Sequence, residues 1–349
     1  MHIYIEQNHI PLKRPFAYFL NTLTCLPYAK ISIITNNGIT GIGEIPCAID
    51  INGELSESCT HLIPYIEHVL QNYSLDELES DADIEQIMNT INLTIAFNTA
   101  TKCGIEQALF DILSQKTKKS FTKIFGMQQE SIKVQGNIPF LENAEEYENR
   151  FTEILAKKPD YIKFKVGKNL SLEAHVITTL RKINNAVNIT IDANQAFQTV
   201  DDAVLFLDTI EHARIAWAEQ LIGKHDIAGW KLLKQKTSVP IMADESVQTI
   251  TDALLFMQNH WIDILNLKIA KCGGILEARK IVLIAKEFDV PVVLGSMLEG
   301  ENGTKYNLAF ALSQNFLTHD FYHYFSLKEP ESSPLIDAAT LKTTTAVLK

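Results

Sequence analysis

Lys163 and Lys165, in the run YIKFKVG, are two ammonium groups two residues apart in an otherwise apolar stretch. In a strand both point to one side, with Ile162, Phe164 and Val166 on the other. By itself the pair reads as the solvated face of an edge strand. Burial beside other cations would instead push a lysine's pKa down toward neutrality, where it serves as a base. From Lys165 onward, Asp192, Glu219, Asp244, Lys268, Ser296 and Asp320 recur near the ends of short apolar runs at intervals of 24 to 28 residues. One strand, one helix and two loops need about that length. The polar residues therefore come once per strand–helix unit, always at the same end.

Asp192, Glu219 and Asp244 are consecutive in that series. Brought together bare, three carboxylates repel and raise one another's pKa. A hard divalent cation removes the conflict. Mg²⁺ suits three carboxylate oxygens with positions left for water and substrate, one ion per chain, with Mn²⁺ as a substitute. Taken singly, each carboxylate is a loop cap or a salt-bridge partner, and Asp244-Glu245-Ser246 fits a helix start. Lysines beside such an ion can take a proton from the carbon next to a substrate carboxylate. Lys163 and Lys165 fall on one strand and Lys268 on another across the barrel, and two bases on opposite faces of that carbon are what a racemase or epimerase needs. A Schiff-base lysine or a non-catalytic carboxylate-binding barrel would also use a strand lysine, but neither needs the three acids.

The elements around these residues fall into two regimes. Residues 1 to about 45 alternate as strands, with Asn37-Gly38 marking a tight hairpin, and residues 56 to 127 show helical spacing. The expectation is an α+β capping domain over 1–128, completed by about 326–349. Residues 129–325 alternate short apolar strands with helices, as in IKVQGNI, NITIDAN, IAWAEQ, VPIMADES, IDILNLK and VPVVLGSM. That alternation predicts an α/β fold with a parallel sheet, closed as a barrel with the active end at the strand C-termini. An open doubly wound sheet is the alternative, but no GxGxxG or Walker loop accompanies it.

Composition narrows the partners. The chain has 349 residues, 46% hydrophobic and 21% charged, with a net charge of −11. No Lys/Arg stripe suits nucleic acid or an anionic membrane, and no apolar run reaches the roughly 18 residues of a membrane helix. Five cysteines without a CxxC pair read as reduced thiols, and the N-terminus has no signal-peptide pattern, so a cytoplasmic protein is expected. The expected partner is a small carboxylate substrate, bound by a homo-oligomer. The histidines His212, His319 and His323 read as surface or packing residues.

KFKVG, IDANQAF, WAEQ, MADES, LNLKIAKCGG and GSMLEG, in this order, resemble the enolase superfamily, muconate-lactonizing subgroup. GITGIGE and CGIEQALFDIL resemble its capping domain. The resemblance implies a (β/α)7β TIM-like barrel, Asp192, Glu219 and Asp244 as magnesium ligands, and Lys165 and Lys268 as the acid/base pair. It implies Lys163 on the substrate carboxylate and Asn194 beside the metal, with Gln135, Ser296, Met297, Asp320 and Tyr322 toward the substrate. INGE at 51–54 and GSMLEG are similar to dipeptide epimerases, which carry Asp-x-Asp on the last strand to hold the dipeptide ammonium. Here that stretch is Asp320-Phe321-Tyr322. o-Succinylbenzoate synthase, N-acylamino acid racemase and cycloisomerase are the alternatives. Phe16, Tyr18, Phe19, Leu20 and Leu26, in a segment whose only basic residue is Lys30, suggest an apolar or aromatic second side chain.

Overall fold

The structure is a computed structural model that describes residues 1–17, 22–328 and 335–344. Strands β1 (His2–Ala17), β2 (Thr22–Ile34) and β3 (Thr40–Pro46) form an antiparallel sheet. Asn37-Gly38 turns β2 into β3, with Gly38 at a φ of 84° that favours glycine. Five helices follow: α1 (Ser56–Cys59), α2 (Ile63–Leu70), α3 (Asp81–Thr94), α4 (Thr99–Thr117) and α5 (Phe121–Phe125). Helix α4 lies directly on β3. A Cβ on Gly43 would come within 1.9 Å of the Gly104 carbonyl oxygen, so only glycine permits that approach.

A short lead-in strand, β4 (Ser131–Lys133), precedes eight parallel strands. In chain order they and their helices are β5 (Gly136–Ile138), α6 (Ala144–Leu155), β6 (Tyr161–Lys165), α7 (Leu170–Ile183), β7 (Asn188–Asp192) and α8 (Val200–Thr209). There follow β8 (Ala218–Glu219), α9 (Ile227–Lys236), β9 (Ile241–Ala243), α10 (Ile250–Gln258), β10 (Ile264–Lys268), α11 (Ile269–Cys272), α12 (Ile275–Glu287), β11 (Val292–Gly295), α13 (Glu301–Ala311) and β12 (His319–Asp320). Each strand pairs with the next, and the bridge Val134–His319 closes the ring. Among the described residues no α-helix follows β12, only a 3₁₀ turn at Tyr322–Ser326, so the barrel is (β/α)7β. Among the described residues no helix is long and apolar enough to cross a membrane.

The lysine strand is not an edge. β6 pairs on both sides, with β5 and β7, so its inward residues face the barrel interior. Strand alternation builds that interior in layers. Trp217, Met242, Ile264 and Val293, with Tyr161 against them, form an apolar cluster separate from the main core. Two residues further along the same strands come Lys163, Glu219, Asp244 and Asn266, all buried. The apolar plug thus seals the barrel below a polar layer.

Helices α6 to α10 begin on their own caps. The Asn143, Asn169, Thr199, Asp226 and Thr249 side chains accept from the N–H three residues on. Helices α12 and α13 do not, because the capping domain supplies the acceptors. Glu106 on α4 accepts from the N–H groups of Ile275 and Leu276 and from the Tyr306 hydroxyl at 2.8 Å. Glu44 on β3 accepts from Gly300 at 2.9 Å and Asn302 at 3.0 Å. Gly274 leaves room for this, since a Cβ there would sit 2.5 Å from the Glu106 carboxyl. Phe110, Phe121 and Phe125 pack around Tyr306 beside the Glu106 contact.

The C-terminal tail begins on the capping domain, where Leu327 bridges Leu12 and the Lys328 N–H donates to Pro11. Its strand β13 (Lys342–Thr344) departs from the expected return to that domain and pairs antiparallel with β4. β4 offered an open edge, and an unpaired edge needs a cover.

Burial raises Glu44 and Glu106 from 4.5 to about 7 each, against the backbone donors that lower them. A raised carboxyl favours the protonated native state. The stability it confers is complete below about pH 4.5 and lost as pH climbs through about 7. Urea titrations of Glu106→Gln should therefore show a shallower fall in stability from pH 5 to 8 than the parent. Glu106→Ala should cost more than Thr199→Ala, for which about 1 kcal/mol is expected, because it orphans three buried donors.

Candidate active site

The closed ring gathers the periodic residues at one end. Lys165, Asp192, Glu219, Lys268 and Asp320 are the last residues of their strands, and Asp244 and Ser296 follow theirs immediately. Lys165 is in register with Asp192, and Asp192 with Glu219. Lys165, Asp192, Lys268, Ser296 and Asp320, with loop residues of the capping domain, line a cavity of about 290 Å³, and Glu219 and Asp244 lie buried behind that wall. Its wall includes Lys163, Lys165, Asp192, Asn194, Lys268, Ser296, Met297 and Asp320.

The lysines answer the carboxylates directly. Lys163 Nζ lies 3.0 Å from Glu219 Oε2 and 3.4 Å from Asp192 Oδ2, and it also donates to Asp320. Lys165 Nζ donates at 2.6 Å to both Asp192 Oδ2 and Asn194 Oδ1. Lys268 Nζ is 2.7 Å from Asp244 Oδ2. Burial alone would drive these ammoniums toward neutrality, yet Lys163 is raised well above its ordinary value by Asp320, Glu219 and Asp192. Lys268 is raised likewise, chiefly by Asp244. The expectation that neighbouring cations depress the lysines therefore fails in this state, because a carboxylate stands between every pair.

The carboxylates divide. Burial opposes ionisation of Asp192, but Lys165 and Lys163 outweigh it and hold the group below its usual value. Asp244 is likewise lowered by Lys268 and Lys271 against burial. Glu219 goes the other way, to about 8: burial leads, Asp192 and Asp244 add, and Lys163 does not compensate. Only neutral Asn266 Nδ2, at 2.6 Å, serves its second oxygen.

Whether these residues suit a cation follows from that imbalance. Among the described residues no three acids, histidines or cysteines already converge as a ligand set, since lysine ammoniums stand among Asp192, Glu219 and Asp244. The donors are nevertheless all carboxylate oxygens, buried to 1% exposure, at three adjacent strand ends. Glu219 retains uncompensated repulsion, and Glu245 Oε2 next door has no partner. An all-oxygen set short of positive charge fits a hard divalent ion.

Several residues do not sit where the sequence put them. Gln135 is buried with Oε1 unpartnered, below the mouth; two residues on, Asn137 lines the wall. Tyr322 faces an adjoining cleft, where its hydroxyl accepts from Arg150 Nη2 at 3.0 Å. His323, read as a packing residue, lines the mouth and bonds Ser296 Oγ at 3.1 Å. Tyr18, Phe19 and Leu20 lie outside the described residues, as does the Phe16 side chain, whereas Leu26 lines the mouth.

Two supports carried no signal that was used. Lys271, three residues after Lys268 in LKIAKCGG, donates to Asp244 Oδ1 at 2.5 Å, to the Asp244 carbonyl and to the Asn266 carbonyl at 3.1 Å. Gln220 Oε1 accepts from Asp244 N and Ser246 N at 3.0 and 3.1 Å. The i, i+3 lysine spacing was the available clue, since one helical turn brings Lys271 back over the strand end. Lys271→Met should destabilise the fold by about 3–5 kcal/mol in urea, leaving Asp244 and two carbonyls without their donor. Exposed Lys168→Met should stay within about 0.5 kcal/mol of the parent.

Residues 1–126 match the mandelate racemase/muconate lactonizing enzyme N-terminal domain, and residues 146–342 match the enolase C-terminal domain-like family. The chain is 30% identical to the L-Ala-D/L-Glu epimerase of Clostridium acetobutylicum, across 90% of this chain and 87% of that one. It is 28% identical to the L-amino acid-D/L-Glu epimerase of Sulfurimonas denitrificans, across 95% and 93%. The dipeptide epimerase of Enterococcus faecalis, solved with Mg and L-Leu-L-Tyr, superposes with a TM-score of 0.87 at 25% identity, covering 98% of this chain and 96% of that one. Two domains, a closed ring with its acids and lysines at one end, and matches across both domains agree: the chain belongs to the enolase superfamily, in the mandelate racemase/muconate lactonizing enzyme family.

Proposed function

We propose that the protein is a Mg²⁺-dependent dipeptide epimerase that removes and returns the α-proton next to the substrate carboxylate. The observation that carries this reading is the position of two lysines. Lys165 on the second barrel strand and Lys268 on the sixth stand four strands apart in a ring of eight, on opposite walls of one cavity. A carbon held between them has one lysine on each face. One takes the proton as a base, and the ammonium opposite returns one to the other face. Lys163, deepest of the three and fully buried, orients the carboxylate end of the substrate. Mg²⁺, held by Asp192, Glu219 and Asp244, supplies Lewis acidity to the substrate carboxylate and stabilises the charge that develops there. A cation on those acids would weaken their ion pairs with Lys165 and Lys268 and free both side chains to meet the substrate.

The wall distal to the lysines supports an apolar second residue. Leu23, Leu26, Pro27, Ile49, Met297 and Leu298 line it, and the described lining holds no arginine. Its lysines Lys163, Lys165 and Lys268 are all bonded to acids. A second-position glutamate would find no arginine among the described lining residues, and an unpaired buried carboxylate is costly.

An N-acylamino acid racemase is the second reading, and Tyr322 is the observation that favours it. Only Asp320 is left at the last strand to meet a substrate ammonium, and Lys163 already holds it. An acylated nitrogen needs no such counter-ion.

Proton exchange in deuterated water tests the mechanism. Lys165→Ala should stop exchange from one epimer and Lys268→Ala from the other; a single mutant that interconverts both epimers at the parental rate would refute the two-base reading. Exhaustive chelation, or Asp192→Asn, should abolish turnover of every substrate. For selectivity, kcat/KM for L-Ala-L-Phe or L-Ala-L-Leu should exceed that for L-Ala-L-Glu by tenfold or more, about 1.4 kcal/mol. A tenfold preference for L-Ala-L-Glu, or turnover of N-acetylphenylalanine but of no dipeptide, would overturn the substrate reading and leave the two-lysine chemistry standing.

A further inference from the structure

The capping domain carries a pair of thiols that the proton chemistry does not use. Cys47 follows β3 and lines the cavity, and Cys59 closes α1 behind it. Their sulfurs are 3.8 Å apart, across twelve residues of sequence. Cys59 is 1% exposed, sealed between Cys47, the Leu55 carbonyl at 3.3 Å and the Thr101 hydroxyl at 3.4 Å. Cys47 is 8% exposed and reaches the cavity wall. A disulfide needs sulfurs about 2.05 Å apart. The two would have to approach by less than 2 Å.

The segment between them belongs to the mouth. Ile49, Ile51, Glu54 and Leu55 line the cavity. The barrel moors this segment by polar contacts to its backbone. Lys224 Nζ donates to the Asp50 carbonyl at 2.9 Å and the Ile51 carbonyl at 3.1 Å, and Gln248 Nε2 donates to Ile51 at 3.0 Å. The thiol pair stands at the base of this segment, with one sulfur on each side of it.

We propose that Cys47 and Cys59 form an oxidative modification site, at which a peroxide entering the substrate mouth is consumed and an intramolecular disulfide closes. The peroxide O–O bond breaks as one oxygen bonds to the Cys47 sulfur, giving a sulfenic acid and a first water. The Cys59 sulfur then attacks that sulfur. The S–S bond forms, the S–O bond breaks, and the hydroxyl leaves with the Cys59 proton as a second water. Two thiols lose two electrons and one peroxide gains them. The product is a closed ring that carries the cavity-lining loop, so the oxidised mouth wall is stiffer than the reduced one.

The site does not depend on the reaction proposed above, and its test needs no turnover. The folded protein is treated with hydrogen peroxide, quenched with an alkylating agent, digested and read by mass spectrometry. The expected product is one linked peptide pair containing Cys47 and Cys59, reversed by dithiothreitol, with Cys103 and Cys272 still alkylated as free thiols. Amide exchange over residues 48–58 should slow in the oxidised form. In Cys59→Ser, Cys47 has no resolving thiol and should run on to the sulfinic acid. The proposal is overturned if Cys47 in the native chain oxidises singly, if it pairs with another cysteine, or if parent and Cys59→Ser give the same Cys47 product.

Discussion

The active end of this barrel is governed by the pairing of opposite charges in a largely buried layer. Four carboxylates, Asp192, Glu219, Asp244 and Asp320, and four lysines, Lys163, Lys165, Lys268 and Lys271, are all bonded within one layer. Any one of them alone would cost several kcal/mol to bury. They are tolerable only as a set, and only a closed ring supplies the directions needed to interleave them. An open sheet would leave the first and last strands on opposite edges, with Lys163 far from Asp320. Closure by Val134 and His319 brings those strands together, and Lys163 reaches across to Asp320 as a result.

The same accounting explains the docking of the capping domain. Glu106 and Glu44 end on the N-termini of α12 and α13, the helices that follow the strands of Lys268 and Ser296. A helix N-terminus is a fixed partial positive charge, so each contact sets both a position and an angle. Gln107 adds to this, accepting from the Glu44 N–H at 2.9 Å and donating to the Asn302 carbonyl at 3.1 Å. The loop of Ile49, Ile51 and Glu54 is thereby carried over the mouth by contacts that lie outside it. Glu54 is itself tied to the start of α4 through the Ala100 and Thr101 N–H groups.

The barrel and its ring of acids and lysines were legible because their spacing is dictated by chain length. One strand and one helix consume a nearly constant number of residues, so Asp192, Glu219, Asp244 and Lys268 announce themselves. What escaped depends on geometry that has no period. Glu106 and Ile275 are 169 residues apart, and nothing local links them. Asn137, which lines the mouth two residues beyond Gln135, was not visible because alternation gives the face of a strand but not the depth along it, and β5 is only three residues long. Tyr322 was expected toward the substrate, at the position of the second acid of the Asp-x-Asp pattern. The strand stops at Asp320, and Tyr322–Ser326 winds as a 3₁₀ helix, which turns the ring toward Arg150. His323 then comes to the mouth for the same reason.

Charge balance also bears on which group becomes the base. Four acids face four lysines in the ring, and Glu219, raised to about 8, is the one that keeps its proton near neutral pH. Under the proposed function a divalent ion adds two positive charges and the substrate carboxylate removes one. Glu219 would shed its proton first on such an ion, and the ion would then share the acids that pair with Lys165 and Lys268. Lys271 is the poorest candidate, since two carbonyls and Asp244 Oδ1 still hold it at the floor of the site. Lys163 keeps Asp320, which lies outside the three proposed ligands. The proposed function therefore assigns the proton transfers to the two lysines on opposite walls, whose acids are the proposed ligands. A substrate with a free ammonium brings one positive charge back and makes Asp320 the contested group. An acylated substrate leaves Asp320 with Lys163, so the Tyr322–Arg150 contact separates the two substrate classes by one unit of charge at the last strand.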